Sequence, residues 1–332
     1  HSIFDHVQIS LEISGIPKIL AMILNNEKQY TTSEKSARYT HFVVSKDSPT
    51  SEIEVLLYEK WIPLFEEMIL EQYPGIEEKK RKKLALENAR YFISVFAPTN
   101  MVYTVPLGQL NRIAGWLTDY SSKNKDPFSK RLNPTIRDFV NNLKALNLIE
   151  SRLQTNEKAR NLSLFASEEK SLHFYESFDF TYSVKYLGSF AQLAQAHRHR
   201  TISYQMVIPE DFYAFVPPIL TKYPEKRASW LADMDCVKSI YPQGQMVQIF
   251  EQGTVEMFVL KCKERLCTAA QQEIMIQTSK TLKKYIKRTE ENKNTLYKDL
   301  LEYSKGARCT FPDYICQNPC HFKEGVNLTR LI

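Results

Sequence analysis

Residues 7–26, VQISLEISGIPKILAMILNN, predict a strand followed directly by a short helix. Apolar residues from Val7 to Ile13 alternate with polar ones, which is typical of a strand with one buried face. The apolar run over 15–26 indicates a short buried helix. The same order recurs where alternating apolar residues over 178–186 precede a helical stretch, SFAQLAQA, at 189–196. A polar segment follows each of these pairs, so the sequence predicts two copies of one module.

Helical patterns dominate the rest of the chain. Ser51 and Glu54 form a capping box, in which each side chain binds the backbone N–H of the other, before an amphipathic stretch that ends at Tyr73. Residues 118–134 are rich in Ser, Lys, Asn and Asp, which favours a linker. Further helices are expected over 84–120, 135–149, 210–233 and 270–303, and residues 238–275 parallel the 84–120 block.

The predicted fold class is α/β in the broad sense (α+β). With 332 residues the chain is long enough for two domains. We expect two tandem copies of a module in which long helices pack on a small, mostly antiparallel sheet. The first copy is placed at 1–150, the second at 151–308, and a cysteine-rich tail at 309–332.

Composition argues against several common classes of protein. Only 9 residues are glycine, and neither GxGxxG nor GxxxxGK[ST] occurs, which argues against Rossmann and P-loop folds. No apolar run reaches the roughly 18 residues of a spanning helix, and no signal-peptide pattern is seen, so a cytoplasmic protein without a membrane partner is expected. The net charge of +6 suits an anionic small molecule or nucleic acid. Nucleic-acid binding ranks last, because no RNP-like pattern of aromatic and basic residues accompanies the charge.

The six cysteines are expected to be reduced thiols in a cytosolic chain. Cys309, Cys316, Cys320 and the adjacent His321 are close enough in sequence to suggest a metal site. Their spacing lacks the CxxC pair of most structural zinc sites, and zinc requires four well-placed nitrogen or sulfur ligands. The prediction is therefore plain thiols and no bound metal.

The stretch QAHRHRTIS at 195–203 resembles the QxxRHRxxS start of the motif that marks flavin-dependent thymidylate synthases. In that family the pattern continues as NExSxRY. Here the corresponding positions hold Gln205, Met206, Ile208 and Glu210. The second half of the motif is therefore missing from this copy.

The first copy keeps the half that the second copy lacks. Residues 34–39, EKSARY, match ExSxRY. The positions that correspond to RHR in this copy hold Asn26, Glu27 and Lys28. The two copies have diverged in a complementary way.

Two later blocks follow the same division. Residues 87–90, ENAR, are similar to the family's E-x-A-R, whereas the second copy has Lys238 in place of the arginine. Residues 264–274, ERLCTAAQQEI, are close to the family's RLCxxAQxEI, whereas the first copy has Leu117 in place of the arginine. Each copy thus retains one side of a site.

The resemblance implies an active site between subunits of a homotetramer, to which neighbouring subunits contribute different motifs. It implies reductive methylation of dUMP to dTMP, with methylenetetrahydrofolate as carbon donor and NADPH acting through FAD. Two copies per chain would let two chains self-associate into a pseudo-tetramer. Arginines suit a nucleotide substrate because guanidinium groups bind phosphate oxygens with bidentate geometry and permanent charge.

Individual site residues are also carried over by the resemblance. Arg265 is similar to the catalytic arginine that stabilises charge on the uracil as its N3 proton leaves. The residues assigned to dUMP are Gln195, Arg198, Glu34, Lys35, Ser36, Ala37, Arg38, Arg90 and Arg265. Those assigned to FAD are Arg198, His199, Arg200, Thr201, Glu34 and His6.

Other functions remain open at this stage. The same phosphate-binding residues would suit one-carbon transfer to dCMP or UMP. A nucleotide-binding relative without flavin chemistry is a further alternative, because the family's NxR element, which helps to hold flavin, is absent from both copies. Its positions hold Pro106 and Gly108 in the first copy, and Thr254 and Glu256 in the second.

Simpler structural roles also compete for the assigned residues. Arg38 could pair with Glu34 one helical turn away, a contact worth a few tenths of a kcal/mol. Arg90 could have a buried acidic partner rather than a ligand. Arg198 and Arg200 could be surface charges, His199 a structural histidine, and Arg265 the partner of an acid near Glu264.

Overall fold

A computed structural model of the protein describes residues 2–34, 51–154, 161–312, 314–317, 320, 322 and 326–332. The contacts divide the chain into two compact units. The described part of the first unit covers 2–34, 95–154 and 161–166. The second unit contains 51–94 and the described residues from 167 onward. Each unit therefore combines segments that are distant in sequence. The boundaries at 150 and 308 remain predictions.

Each unit contains one small antiparallel sheet with a long strand in a central position. The first sheet has the order β1-β3-β2 and the second the order β4-β5-β7-β6. The strands are β1 (Gln8–Pro17), β2 (Thr31–Glu34), β3 (Pro98–Pro106), β4 (Ser177–Phe178), β5 (Thr181–Ser189), β6 (Ser203–Val207) and β7 (Met246–Thr254). The α+β fold class is confirmed.

Helices make up most of the remaining structure. They are α1 (Lys18–Asn26), α2 (Glu52–Gln72), α3 (Glu78–Ala89), α4 (Leu107–Lys123), α5 (Pro127–Ala145), α6 (Ser151–Gln154), α7 (Glu168–Leu172), α8 (Phe190–Ala196), α9 (Pro224–Cys236), α10 (Val255–Arg265), α11 (Gln272–Glu291) and α12 (Leu296–Leu301). Short 3₁₀ segments lie at Ser2–Asp5, Arg90–Phe92, Pro218–Lys222, Lys238–Ile240 and Arg308–Thr310.

The two units repeat one order of elements. In each, a strand is followed by a short helix, a second strand, a long insertion, a central strand and a further helix. Helix α1 begins at Lys18 and α8 begins 172 residues later, at Phe190. Strand β3 begins at Pro98 and β7 begins 148 residues later, at Met246. The shorter spacing of the later elements reflects a shorter insertion in the second unit.

The strand and helix predicted over 7–26 are confirmed, with the strand longer than expected. Strand β1 continues to Pro17 because its pairing with β3 shifts between Ile13 and Ile16. Gly15 adopts a φ of 72° within this irregularity, and its N–H binds the Asn100 side-chain oxygen at 2.9 Å. A glycine accepts this left-handed backbone without the steric cost that a Cβ would add. The strand over 178–186, the helix over 189–196 and the capping box at Ser51 are also confirmed.

Several predicted helix boundaries are wrong. The block over 84–120 is interrupted by β3, and the corresponding block over 238–275 is interrupted by β7. The linker over 118–134 is instead the end of α4 and the start of α5. Helix α5 begins early because the Asp126 side chain accepts from the N–H of Ser129 at 3.0 Å and Pro127 occupies the first helical position. The polar helix over 270–303 is divided into α11 and α12, and the helical region expected from 210 begins at Pro218.

A cluster of aromatic rings forms much of the core of the second unit. Trp61 and Phe65 of α2 pack edge-on against Trp230 of α9, with ring centroids 5.0 and 5.5 Å apart. Phe92 lies 4.6 Å from the same Trp230 ring. These side chains are fully buried, and the indole N–H of Trp61 donates to Asp233 at 2.7 Å. The cluster therefore fixes the segment that begins at Arg90 against α2 and α9.

Candidate functional site

The RHR segment lies immediately after α8 and presents its three side chains in different directions. The chain turns tightly, with the N–H of His199 donating to Ala196 at 2.9 Å and that of Ile202 donating to His199 at 3.1 Å. As a result Arg198 and Arg200 are exposed while His199 is buried. Two guanidinium groups therefore flank an inward-facing imidazole.

Gln195 lies in the last turn of α8 and is 5% exposed. Among the described residues, its buried side-chain oxygen has no hydrogen-bond partner. A buried acceptor without a partner costs free energy unless something else binds it. Gln195 is therefore suited to accept a hydrogen bond from a ligand.

His199 holds the predicted catalytic arginine. The Nε of Arg265, at the end of α10, donates to the Nε2 of His199 at 2.5 Å. Burial, followed by the nearby charges of Arg265 and Lys261, lowers the pKa of His199 to about 2. The imidazole is therefore neutral and can accept this hydrogen bond. The carboxylate of Glu264 lies 3.7 Å from the other imidazole nitrogen and 3.6 Å from Arg265 Nη2.

A buried ion pair lies one turn before Arg265 on α10 and was not identified from the sequence. The ammonium group of Lys261 is 2.7 Å from the Glu251 carboxylate on β7, and both side chains are about 99% buried or more. The hydroxyls of Tyr182 and Tyr186 donate to the same carboxylate at 2.6 and 2.7 Å. The signal that could have revealed it is the spacing of Lys261 and Arg265, which puts both on one face of a helix.

Arg90 lies at the junction of α3 and the 3₁₀ segment Arg90–Phe92, and it is 5% exposed. A second acid that the sequence left without a role, Glu273, lies nearby. Burial raises the pKa of Glu273, and the positive charge of Arg90 is among the influences that oppose this rise. Arg90 thus lies near a buried acid, as the structural alternative expected, and this does not exclude a ligand role.

The residues assigned in the first unit occupy a strand end and a loop. Glu34 ends β2, where its carboxylate accepts from Lys18 at 2.5 Å and from the Thr99 hydroxyl at 3.1 Å. Because Glu34 lies in a strand, the helical pairing considered for it with Arg38 does not describe its contacts. His6 is exposed. Lys35, Ser36, Ala37 and Arg38 lie outside the described residues, so their assignment to dUMP stays a prediction.

The positions that correspond to NxR now begin helices. Thr254 is the N-cap of α10 and accepts from the N–H of Met257 at 3.5 Å, and Glu256 lies in the first turn. Pro106 precedes α4, and a Cβ at Gly108 would lie 2.4 Å from Asp5 Oδ1. Residues at these four positions therefore have local structural roles in each unit.

Two surveys of the described residues bear on metal and membrane binding. No group of three or more His, Cys, Asp or Glu side chains within them could hold a metal ion. None of the helices in those residues is long and apolar enough to cross a membrane. All six cysteines are free thiols.

The comparison with protein families matches only the first part of the chain. Residues 1–123 match the family described as thymidylate synthase complementing protein. The resemblance found in the sequence is thus confirmed over these residues, and the match supports a thymidylate synthase-like function. No curated protein matches the chain significantly. For the second half the resemblance stays a prediction.

Proposed function

From the match of residues 1–123 to the thymidylate synthase complementing family, we propose that this protein is a flavin-dependent thymidylate synthase. It methylates dUMP to dTMP, takes the carbon from methylenetetrahydrofolate and uses NADPH through FAD. Within the structure, the observation that best supports this function is Arg265, a buried arginine held by neutral His199 between two exposed arginines.

Nucleotide binding follows from the charges and polar groups of this cluster. The exposed guanidinium group of Arg198 suits the dianionic phosphate, and Gln195 offers a buried acceptor. Arg265, fixed by His199, stabilises the charge that develops on the uracil when its N3 proton leaves. Arg90 and residues 34–38 complete the nucleotide site in this proposal.

The residues after α8 also fit a flavin nucleotide. A diphosphate requires fixed positive charge and hydroxyl donors, and Arg198, Arg200 and Thr201 are all exposed. Reduced FAD, when bound, supplies the hydride for the methylation. His199 contributes through its hold on Arg265, and Glu34 and His6 are further proposed contacts.

We further propose that the chain carries two diverged copies of the family module. The repeated element order and the constant spacings between α1 and α8 and between β3 and β7 support this duplication. Within the second unit, Ser94 also forms an antiparallel bridge with Pro242, the residue 148 positions later. Pairing of equivalent positions is expected where two copies pack about a local two-fold axis.

Two such chains are expected to associate, because the family site requires motifs from several copies. The prediction is a particle of two chains, each of 38.8 kDa, measured by size-exclusion chromatography with light scattering. A stable monomer, or a particle of four chains, would contradict a pseudo-tetramer built from two double-copy chains.

The enzyme activity is tested by flavin content and by coupled oxidation of NADPH. The purified protein is expected to be yellow, or to take up added FAD, and to oxidise NADPH faster when dUMP and methylenetetrahydrofolate are both present. Production of dTMP is the decisive measurement. Stimulation by dCMP or UMP but not by dUMP would identify a different pyrimidine substrate. A colourless protein that binds dUMP but never FAD would be a non-catalytic relative.

A further inference from the structure

Glu273, the second residue of α11, joins two segments that carry proposed nucleotide-binding residues. Its Oε1 accepts from the backbone N–H of Ser189 at 2.7 Å. Its Oε2 accepts from the Ser189 hydroxyl at 2.6 Å and from the Tyr91 hydroxyl at 3.1 Å. All three residues are buried. One carboxylate therefore binds both segments at once.

The contact with Ser189 fixes the start of α8. Ser189 is the N-cap of this helix, and its hydroxyl accepts from the N–H of Gln192 at 3.0 Å while donating to Glu273. Helix α8 is only two turns long, so its start determines where its end lies. Gln195 lies in that last turn, and Arg198 follows directly.

The contact with Tyr91 fixes the residue after Arg90. The Tyr91 hydroxyl also accepts from the Gln271 side chain at 2.5 Å, and the Tyr91 carbonyl accepts from the N–H of Gly244 at 2.8 Å. Burial, followed by the negative charge of Glu273, raises the pKa of Tyr91 well above its usual value. The phenol therefore stays protonated and donates to the carboxylate.

The equivalent positions of the other copy cannot form this arrangement. At the spacings of 172 and 148 residues, Ser189 corresponds to Pro17, Glu273 to Lys125, and Tyr91 to Ser239. Proline lacks both a backbone N–H and a hydroxyl, and α1 has no side-chain cap. Lys125 offers an ammonium group, which is a donor only. The arrangement is thus possible on the side of the site where Gln195, Arg198 and Arg90 are retained.

We propose that Glu273 is a positioning residue for the nucleotide site, which aligns the Gln195–Arg198 segment with Arg90 so that both can bind one nucleotide monophosphate. This inference rests on the proposed function. Glu273 does not contact the substrate in this proposal. It acts through Ser189 and Tyr91, whose separate removal should each reproduce part of its effect.

The test compares Glu273→Ala and Glu273→Gln with wild type, using dUMP titrations by calorimetry and steady-state kinetics. Loss of hydrogen bonds to a buried carboxylate is expected to weaken dUMP binding and raise KM about tenfold in Glu273→Ala. The value of kcat should change by less than about twofold, because this variant leaves the groups that act on the uracil in place. Glu273→Gln keeps an acceptor for the Ser189 N–H, so its effect should be smaller.

Ser189→Ala and Tyr91→Phe test the two contacts separately. Each is expected to raise KM by less than Glu273→Ala, and neither should add its full effect to that variant, because the residues act as one unit. Ser167→Ala is the matched control for the helix cap, since Ser167 caps α7 through the N–H of Lys170. Tyr285→Phe is the matched control for the loss of a buried phenol, since Tyr285 binds the Asp179 carbonyl instead.

Hydrogen exchange separates the positioning role from the proposed function, since it needs no ligand. Amides of residues 90–92 and 190–202 should exchange faster in Glu273→Ala than in wild type, with no such change in Ser167→Ala. Faster exchange in a protein that binds no dUMP would support the positioning of the segments and overturn the proposed function. Unchanged exchange with an unchanged KM would overturn the role of Glu273 while leaving the proposed function intact.

Discussion

Arg265→Ala is expected to lower dUMP-dependent turnover by about 10²–10³-fold, the typical loss when a preorganised group that stabilises transition-state charge is removed. Arg265 is buried, and its Nε is fixed by neutral His199, so its charge is already oriented before the uracil becomes charged. Steady-state kinetics of dTMP formation, with protein shown to be folded by circular dichroism, measures the effect.

Two further variants show whether the effect belongs to the oriented guanidinium group. Lys263→Ala removes an exposed cation from the same helix and should change turnover by less than about twofold, because exposed charges are screened. Arg265→Lys keeps the charge but not the planar group that donates to His199, and we expect it to remain strongly impaired. Full activity in Arg265→Ala would remove this arginine from the mechanism.

The order of local elements in each unit could be read from the sequence because the patterns there are regular. The alternation before Ile13 and the apolar run after it predicted β1 and α1, and the same reasoning identified β5 and α8. The central strands were missed. In β3 the buried residues Met101 and Tyr103 do alternate with more exposed ones, but the strand is short and lies between two helical patterns. Pairing with strands distant in sequence decides its conformation, and that is not visible locally.

The site shows a similar division between what residue types indicate and what only packing reveals. The motif indicated that Arg198, His199, Arg200 and Arg265 act together, and the contact between His199 and Arg265 agrees with this. The direction of each side chain could not be predicted, because it depends on the tight turn after α8. Glu273 was present in a recognised motif without a role, since its partners Ser189 and Tyr91 are 84 and 182 residues away in sequence.

Lys261→Met is expected to destabilise the protein by about 3–5 kcal/mol, the usual cost of leaving one member of a buried ion pair without the other. Glu251 is completely buried and would keep only its contacts with the hydroxyls of Tyr182 and Tyr186. Urea unfolding followed by tryptophan fluorescence measures the free energy of unfolding. The control is Lys284→Met, which breaks the partly exposed pair with Glu176 and should cost no more than about 1 kcal/mol.

The double variant Lys261→Met with Glu251→Gln identifies the cause of this loss. If the unpaired charge is responsible, the double variant will be more stable than Lys261→Met, because no charged group then remains buried. If lost packing of the lysine stem is responsible, the second change will add to the loss. The distinction bears on function, because Lys261 lies one turn before Arg265 and joins that face of α10 to the central strand β7. A double variant that regains stability but not turnover would mean that the ion pair also orients Arg265.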